Sequence, residues 1–251
     1  MFEPRDRPDA SSEPRFSPVL IVAAAPRECD AIARGFDAPP PDRPWSPRQL
    51  APGWTLVRSG VGKADAAGAA AAFSDPEPHS APHTQPPSAI LSLGIAGSLE
   101  PGLPLGSIVA ADRSAFADEG IETPGGFRSL ADMGFAPDPA IGGGIPGDPA
   151  LLDHLALGVP DLHRGTIATV STCSGTDAAA AAVRARTGAR AEAMEGAAVA
   201  LVAWRRGLRF AELRVISNTT GDRERQQWDL EGSLAVLERL ARRWAENLPR
   251  G

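Results

Sequence analysis

The chain has 251 residues, 43% of them hydrophobic, and a formal net charge of −6. That is enough apolar material for one sizeable α/β core, and the acidic balance leaves no basic footprint for DNA or RNA. Two cysteines far apart in sequence, Cys29 and Cys173, make no disulfide framework and read as reduced residues of a cytoplasmic protein.

Residues 1–17 are polar and proline-rich. They lack the apolar stretch of a secretory signal and read as a disordered tail, with residues 18–251 forming a single domain. No apolar run approaches membrane-spanning length. "PVLIVAA" (18–24) predicts a buried strand and "RECDAIARGF" (27–36) a helix. A strand over 54–60 and a helix over 63–73 follow, then strands over 89–97 and 107–116. A helix over 149–157, a strand over 166–172 and a helix over 177–187 come next. The chain closes with "AEAM", a helix after Glu195, a strand over 211–217 and a last helix over 232–247. This alternation predicts a mainly parallel sheet covered on both faces.

Two segments break the rhythm. "SDPEPHSAPHTQPPS" (74–88) predicts a surface loop. His79 and His83 lie in it and read as solvated residues rather than metal ligands. "DPAIGGGIPGDP" (138–149) also predicts a loop, either a lid over a site or a plain connector.

Open α/β sheets bind ligands at the carboxyl ends of their strands. Several strands here end in small or polar residues: "AAAPRE", "SGVGKA", "LGIAGSLEPGLPLGS" and "RVISNTTGD". Glu195 stands apart, in the apolar run "ARAEAMEGAAVALVAWRRG" (189–207). Arg205, Arg206 and Gly207 mark the end of its helix, so Glu195 lies at the helix N-terminus. A negative charge gains about 0.3–1 kcal/mol there, less than burial of an unpartnered carboxylate costs. Two readings compete: a capping glutamate with a wet side chain, or an acceptor for two adjacent sugar hydroxyls.

The pattern "SGVGKADAA … SLGIAGSLEPGLPLGSIVAAD … EAMEGAAVA … LRVISN" resembles the nucleoside phosphorylase and nucleosidase superfamily, over nearly the whole chain after the tail. Within it, "STCSGTD", "MEGAAVALVA" and "LRVISNTTGDRERQQW" look most like the futalosine hydrolase family. Those nucleosidases of menaquinone biosynthesis split futalosine into hypoxanthine and dehypoxanthine futalosine. The resemblance implies an α/β fold of three layers, α/β/α, with a mixed, mainly parallel central sheet. It implies a small-molecule nucleoside substrate and no metal or organic cofactor, since water is the nucleophile. It also implies a homo-oligomer, a dimer or larger, with the site often finished by a neighbouring subunit.

The resemblance carries roles onto particular residues. Met194 and Glu195 match the ribose-binding Met-Glu pair, the carboxylate taking sugar hydroxyls and stabilising an oxocarbenium ion. On that reading Glu195 is buried because the substrate supplies its partners. Glu28 matches the position from which nucleosidases activate water, where phosphorylases place an arginine for phosphate; a carboxylate repels phosphate and takes a proton from water. Arg27 would reach an anion only if the register slipped by one residue. Arg214 matches an arginine near the water pocket, with Glu28 a candidate partner. Ile95, Ala96 and Gly97 match the segment lining that pocket, with Ile95 where adenine-type nucleosidases place a serine. Asn218 stands where adenine-releasing enzymes carry an aspartate. An amide accepts from N7–H and donates to a carbonyl at C6, which fits a 6-oxopurine but leaves the proton for N7 to Asp222 or solvent. Arg223, Arg225 and Trp228 are either a grip on the carboxyphenyl group of futalosine or a solvated charged turn.

Overall fold

The computed structural model describes residues 16–75, 86–160 and 162–248. Most of the expected tail and both loop histidines, His79 and His83, lie outside the described residues. Phe16 is buried, its ring 4.9 Å from that of His154.

The elements run β1 (Val19–Ala23), α1 (Pro26–Gly35), β2 (Pro47–Ala51), β3 (Trp54–Arg58), α2 (Lys63–Phe73), β4 (Ala89–Ser98) and β5 (Ile108–Phe116). Then come β6 (Gly120–Thr123), β7 (Gly126–Ser129), β8 (Gly144–Pro146), α3 (Pro149–Ala156), β9 (Leu162–Thr169) and α4 (Asp177–Thr187). The chain continues through β10 (Ala191–Ala193), α5 (Gly196–Arg206), β11 (Arg209–Thr219) and α6 (Leu230–Glu246). The sheet order is β10-β9-β5-β11-β4-β1-β3-β2, with β8 beside β5. The β1–β3, β1–β4, β4–β11, β5–β9 and β9–β10 ladders are parallel; β2–β3, β5–β8, β5–β11 and β4–β10 are antiparallel. The sheet is therefore mixed, and the β4–β10 pairing closes β10, β9, β5, β11 and β4 into a ring.

β1 shows why the strands read as continuous apolar runs. Successive side chains point to opposite faces. Val19, Ile21 and Ala23 pack with α1, α3 and α6, while Leu20 and Val22 pack with α2 and α5. Both faces are dry, and each buried Val, Leu or Ile contributes about 1.5–3 kcal/mol. α4 covers a third cluster through Val183, against Ala168 and Val170 of the β9 end.

The expected helices and strands are present with end shifts of a few residues, the largest at the start of β9. β2, the β6–β7 hairpin and β8 were not foreseen, although Pro124–Gly125–Gly126 is a turn signal for the hairpin. β8 lies inside the glycine-rich segment expected to be all loop. It is only three residues long and exists through its antiparallel ladder with β5, helped by Arg113, whose guanidinium donates to the Ile141 carbonyl at 2.8 Å.

Candidate active site

The carboxyl ends of β1, β3, β4 and β11 and the start of α5 meet at one edge of the sheet. At its centre is Arg214, 2% exposed. Residues i and i+2 of a strand share a face, so Arg214 and Glu212 point together towards α5, opposite Leu213 and Val215. The β4–β11 register sets Ser92 beside Glu212 and Gly94 beside Arg214. Arg214 Nε donates to Glu212 Oε1 at 2.9 Å and Nη2 to Ser92 Oγ at 2.9 Å. Its Nη1 lies 3.3 Å from Glu195 Oε2. The Ser114 hydroxyl donates to the other Glu212 oxygen. Glu212 was not foreseen, although two charges two residues apart in the apolar strand "AELRVIS" were a legible signal.

Glu28 sits in the first turn of α1, where Pro26 occupies a position that needs no N–H. Its Oε2 accepts from the Ala25 N–H at 2.8 Å, and its Oε1 from the Ile95 N–H at 2.8 Å. The carboxylate thereby ties the end of β1 to the end of β4. It fits because Gly94 has no side chain: a Cβ there would lie 2.3 Å from Glu28 Oε1 and 2.8 Å from Arg214 Nη1. The candidate ion pair between Arg214 and Glu28 is replaced by bonds to Glu212 and Glu195. Glu28 stays close enough to feel the guanidinium charge. Ile95, half-buried, offers its backbone, and Ala96 and Gly97 are buried beside it.

Glu195 is the N-cap residue of α5, 6% exposed. Its Oε1 accepts from the Gly62 N–H at 3.1 Å and its Oε2 from the Met194 N–H at 3.3 Å, in addition to Arg214. This corrects one expectation: the protein itself supplies partners for the buried carboxylate. A carboxylate has about four acceptor positions, so room remains for a hydroxyl donor. Met194 is half-buried next to it.

Three buried carboxylates thus surround one guanidinium. Burial pushes the Glu28 carboxyl up; Arg214 opposes this and Glu195 adds to it. Burial likewise pushes Glu212 up against the pull of Arg214. Burial works against the charge of Arg214, but Glu212, Glu195 and Glu28 outweigh it and hold it protonated. Such an excess of negative charge suits a water nucleophile and disfavours phosphate.

Asn218 follows a bulge in β11 and faces Gly97 of β4. Its Oδ1 accepts from Ser217 Oγ at 2.9 Å and its Nδ2 donates to the Thr219 carbonyl at 2.9 Å, leaving one lone pair and one N–H for a ligand. Trp228 pairs with Asn218 across a short bridge. It is 48% exposed, with the Arg223 guanidinium 4.6 Å from its ring centre. Arg225 is held by Asp177 and Asp222. The Asp222 carboxylate accepts from the Asp177 N–H at 2.9 Å. That bond and Arg225 keep it below its ordinary range, which makes it a poor proton donor. Arg27 points away and pairs with Glu231 of α6.

Glu192, also unforeseen, is 4% exposed in β10. The Ser174 N–H donates to its Oε1 at 2.7 Å and the Ser174 hydroxyl to its Oε2 at 2.6 Å. Cys29 is buried, its thiol pushed up to about 12 by burial, while Cys173 is exposed. Among the described residues no cluster of three metal-ligating side chains occurs, and no helix is long and apolar enough to cross a membrane.

Residues 18–248 match the family model described as the phosphorylase superfamily. The futalosine hydrolase of Streptomyces coelicolor is 39% identical over 223 residues, covering 87% of this chain and 91% of that protein. The futalosine hydrolase of Acidothermus cellulolyticus is 40% identical over 228 residues, covering 87% of this chain and 86% of that one. A crystal structure of the 5′-methylthioadenosine/S-adenosylhomocysteine nucleosidase of Neisseria meningitidis superposes with a TM-score of 0.69 at 19% identity. It covers 91% of this chain and 96% of the other.

Proposed function

The chain belongs to the phosphorylase superfamily and, within it, to the futalosine hydrolases, and from that premise we propose how its residues cleave futalosine to release hypoxanthine. Glu28 takes a proton from water held near the Ile95 N–H. The hydroxide attacks C1′ of the sugar as the C1′–N9 bond breaks, and the bonding electrons leave with the purine. Glu195 accepts from the sugar hydroxyls, bonds that tighten as the ring gains positive charge. Arg214 holds Glu195 and Glu212 and lowers the cost of keeping Glu28 and Glu195 ionised so close together. Asn218 donates to the 6-oxo group and accepts from N7–H. The departing purine takes its proton from solvent, because an amide has none to give.

The observation that carries this reading is the Glu28 carboxylate, buried, bonded by two backbone N–H groups, close to Glu195 and sharing the field of Arg214 with Glu195 and Glu212. A phosphate dianion has no cationic cradle there, since Arg27 faces the opposite way and Arg214 is already engaged. The reading extends to menaquinone biosynthesis and to a cytoplasmic homo-oligomer.

The test is base release from futalosine, inosine and methylthioadenosine, each with and without phosphate, followed by chromatography. Hypoxanthine from futalosine, indifferent to phosphate, is expected. Release that requires phosphate, or adenine from methylthioadenosine, would refute it. Size-exclusion chromatography with light scattering tests the assembly, and a monomer would refute it.

A further inference from the structure

Glu192, Gly97 and Asn218 lie in one row across three strands. Glu192 of β10 is opposite Gly97 of β4, and Gly97 is opposite Asn218 of β11. Directly opposed residues of neighbouring strands present their side chains to the same face. The neighbours of Glu192 in β10, Ala191 and Ala193, pack with Ala96 into the cluster on the other face. The Asn218 amide leans over the gap, its Nδ2 3.1 Å from where a Gly97 Cβ would stand. Strands are about 4.8 Å apart, so the backbones of Glu192 and Asn218 are roughly 10 Å apart; Gly97 itself adds no side chain between them, and the Thr220 methyl, 2.9 Å from where the same Cβ would stand, borders the gap.

The far walls of this gap are tied together. Gln226 donates to the Ser174 carbonyl at 3.0 Å and to the Gly221 carbonyl at 2.9 Å. The Trp228 indole N–H donates to Gln226 at 3.2 Å. Ser174 holds both oxygens of Glu192. A carboxylate so deeply buried and fixed by two donors still has acceptor positions left for a ligand N–H.

We propose that Glu192, locked by Ser174, is a second base-reading residue, accepting the ring N1–H of a 6-oxopurine whose carbonyl is read by Asn218 across Gly97. A 6-oxopurine presents an acceptor at O6 and a donor at N1 along one edge. A 6-aminopurine presents the reverse, a donor and then an acceptor. An amide donor and a carboxylate acceptor set side by side match the first pattern and mismatch the second. The inference rests on the reading of the chain as a 6-oxopurine nucleosidase and deepens it.

The test compares kcat/KM for futalosine and for its 6-amino counterpart in the wild type and in Glu192→Gln, with melting curves for both proteins. Loss of a hydrogen bond to a charged group should lower kcat/KM for futalosine roughly 10- to 100-fold. Activity on the 6-amino substrate should hold or rise, because a glutamine amide can donate to its N1. An equal fall on both substrates, or no change on either, overturns the inference. Should Glu192→Gln fail to fold, the wild type answers alone. Futalosine methylated at N1 should be turned over at least 10-fold more poorly than futalosine, and equal turnover overturns the inference. A wild type that releases no hypoxanthine from futalosine would instead sink the proposed function.

Discussion

Gly94→Ala tests the centre of the site with a single methyl group. The new Cβ would lie 2.3 Å from Glu28 Oε1. Carbon and oxygen not bonded to each other approach to about 3.3 Å, so the carboxylate must retreat by about 1 Å. It has no easy path. Its two oxygens are held at 2.8 Å by the Ile95 and Ala25 N–H groups, and Arg214 Nη1 is only 2.8 Å from the same Cβ. A displacement of about 1 Å at a reacting group costs roughly 100-fold in rate. The backbone itself tolerates alanine, because Gly94 is an ordinary strand residue of β4 outside the left-handed region. Stability should therefore fall by no more than about 1.5–3 kcal/mol, the worth of one hydrogen bond to a charged group. The assay is kcat for hypoxanthine release beside a thermal melt. A fully active Gly94→Ala enzyme would refute the placement of Glu28 against Gly94. A loss of activity seen only in step with unfolding would refute the catalytic reading of that contact.

Three further expectations follow from the same cluster. Glu28→Gln should lower kcat by about 10²–10⁴ while the protein still melts cooperatively; unchanged turnover would remove the general-base role. Asn218→Asp should shift preference from hypoxanthine towards adenine nucleosides, and an unaltered ratio of the two activities would remove the base-reading role. Burial raises the Glu28, Glu192 and Glu212 carboxyls, so the folded protein holds their protons more tightly than the unfolded chain. Their stabilising contribution is complete below the ordinary carboxylate value of about 4.3 and is lost as pH rises through the raised folded values. Catalysis runs the other way, since Glu28 acts as its anion and kcat/KM should show an acid limb above that ordinary value. Melting temperatures across mildly acidic to neutral pH should decline less steeply in Glu212→Gln than in the wild type; identical slopes, or an acid limb at the ordinary value, would contradict the burial of these groups.

Local pattern alone established much of this protein. The apolar runs of β1, β4 and β11 declared strands buried on both faces, because burial on both sides removes the polar alternation. Gly207 after Arg205 and Arg206 declared the end of α5, because only a residue free to adopt the left-handed conformation closes a helix that way. Glu28 and Glu195 were legible as carboxylates at helix starts, and Asn218 as a polar residue closing a strand. What pairs with what was decided only by the folded chain. The partners of Arg214 come from β4, from the N-cap of α5 and from its own strand; Glu212, its closest charged partner, shares its face through the two-residue period of β11. β8 and the β4–β10 closure depend on ladder bonds between segments far apart in sequence, and three-residue strands carry no period of their own. The row of Glu192, Gly97 and Asn218 depends on register across three strands, a quantity that no single segment encodes.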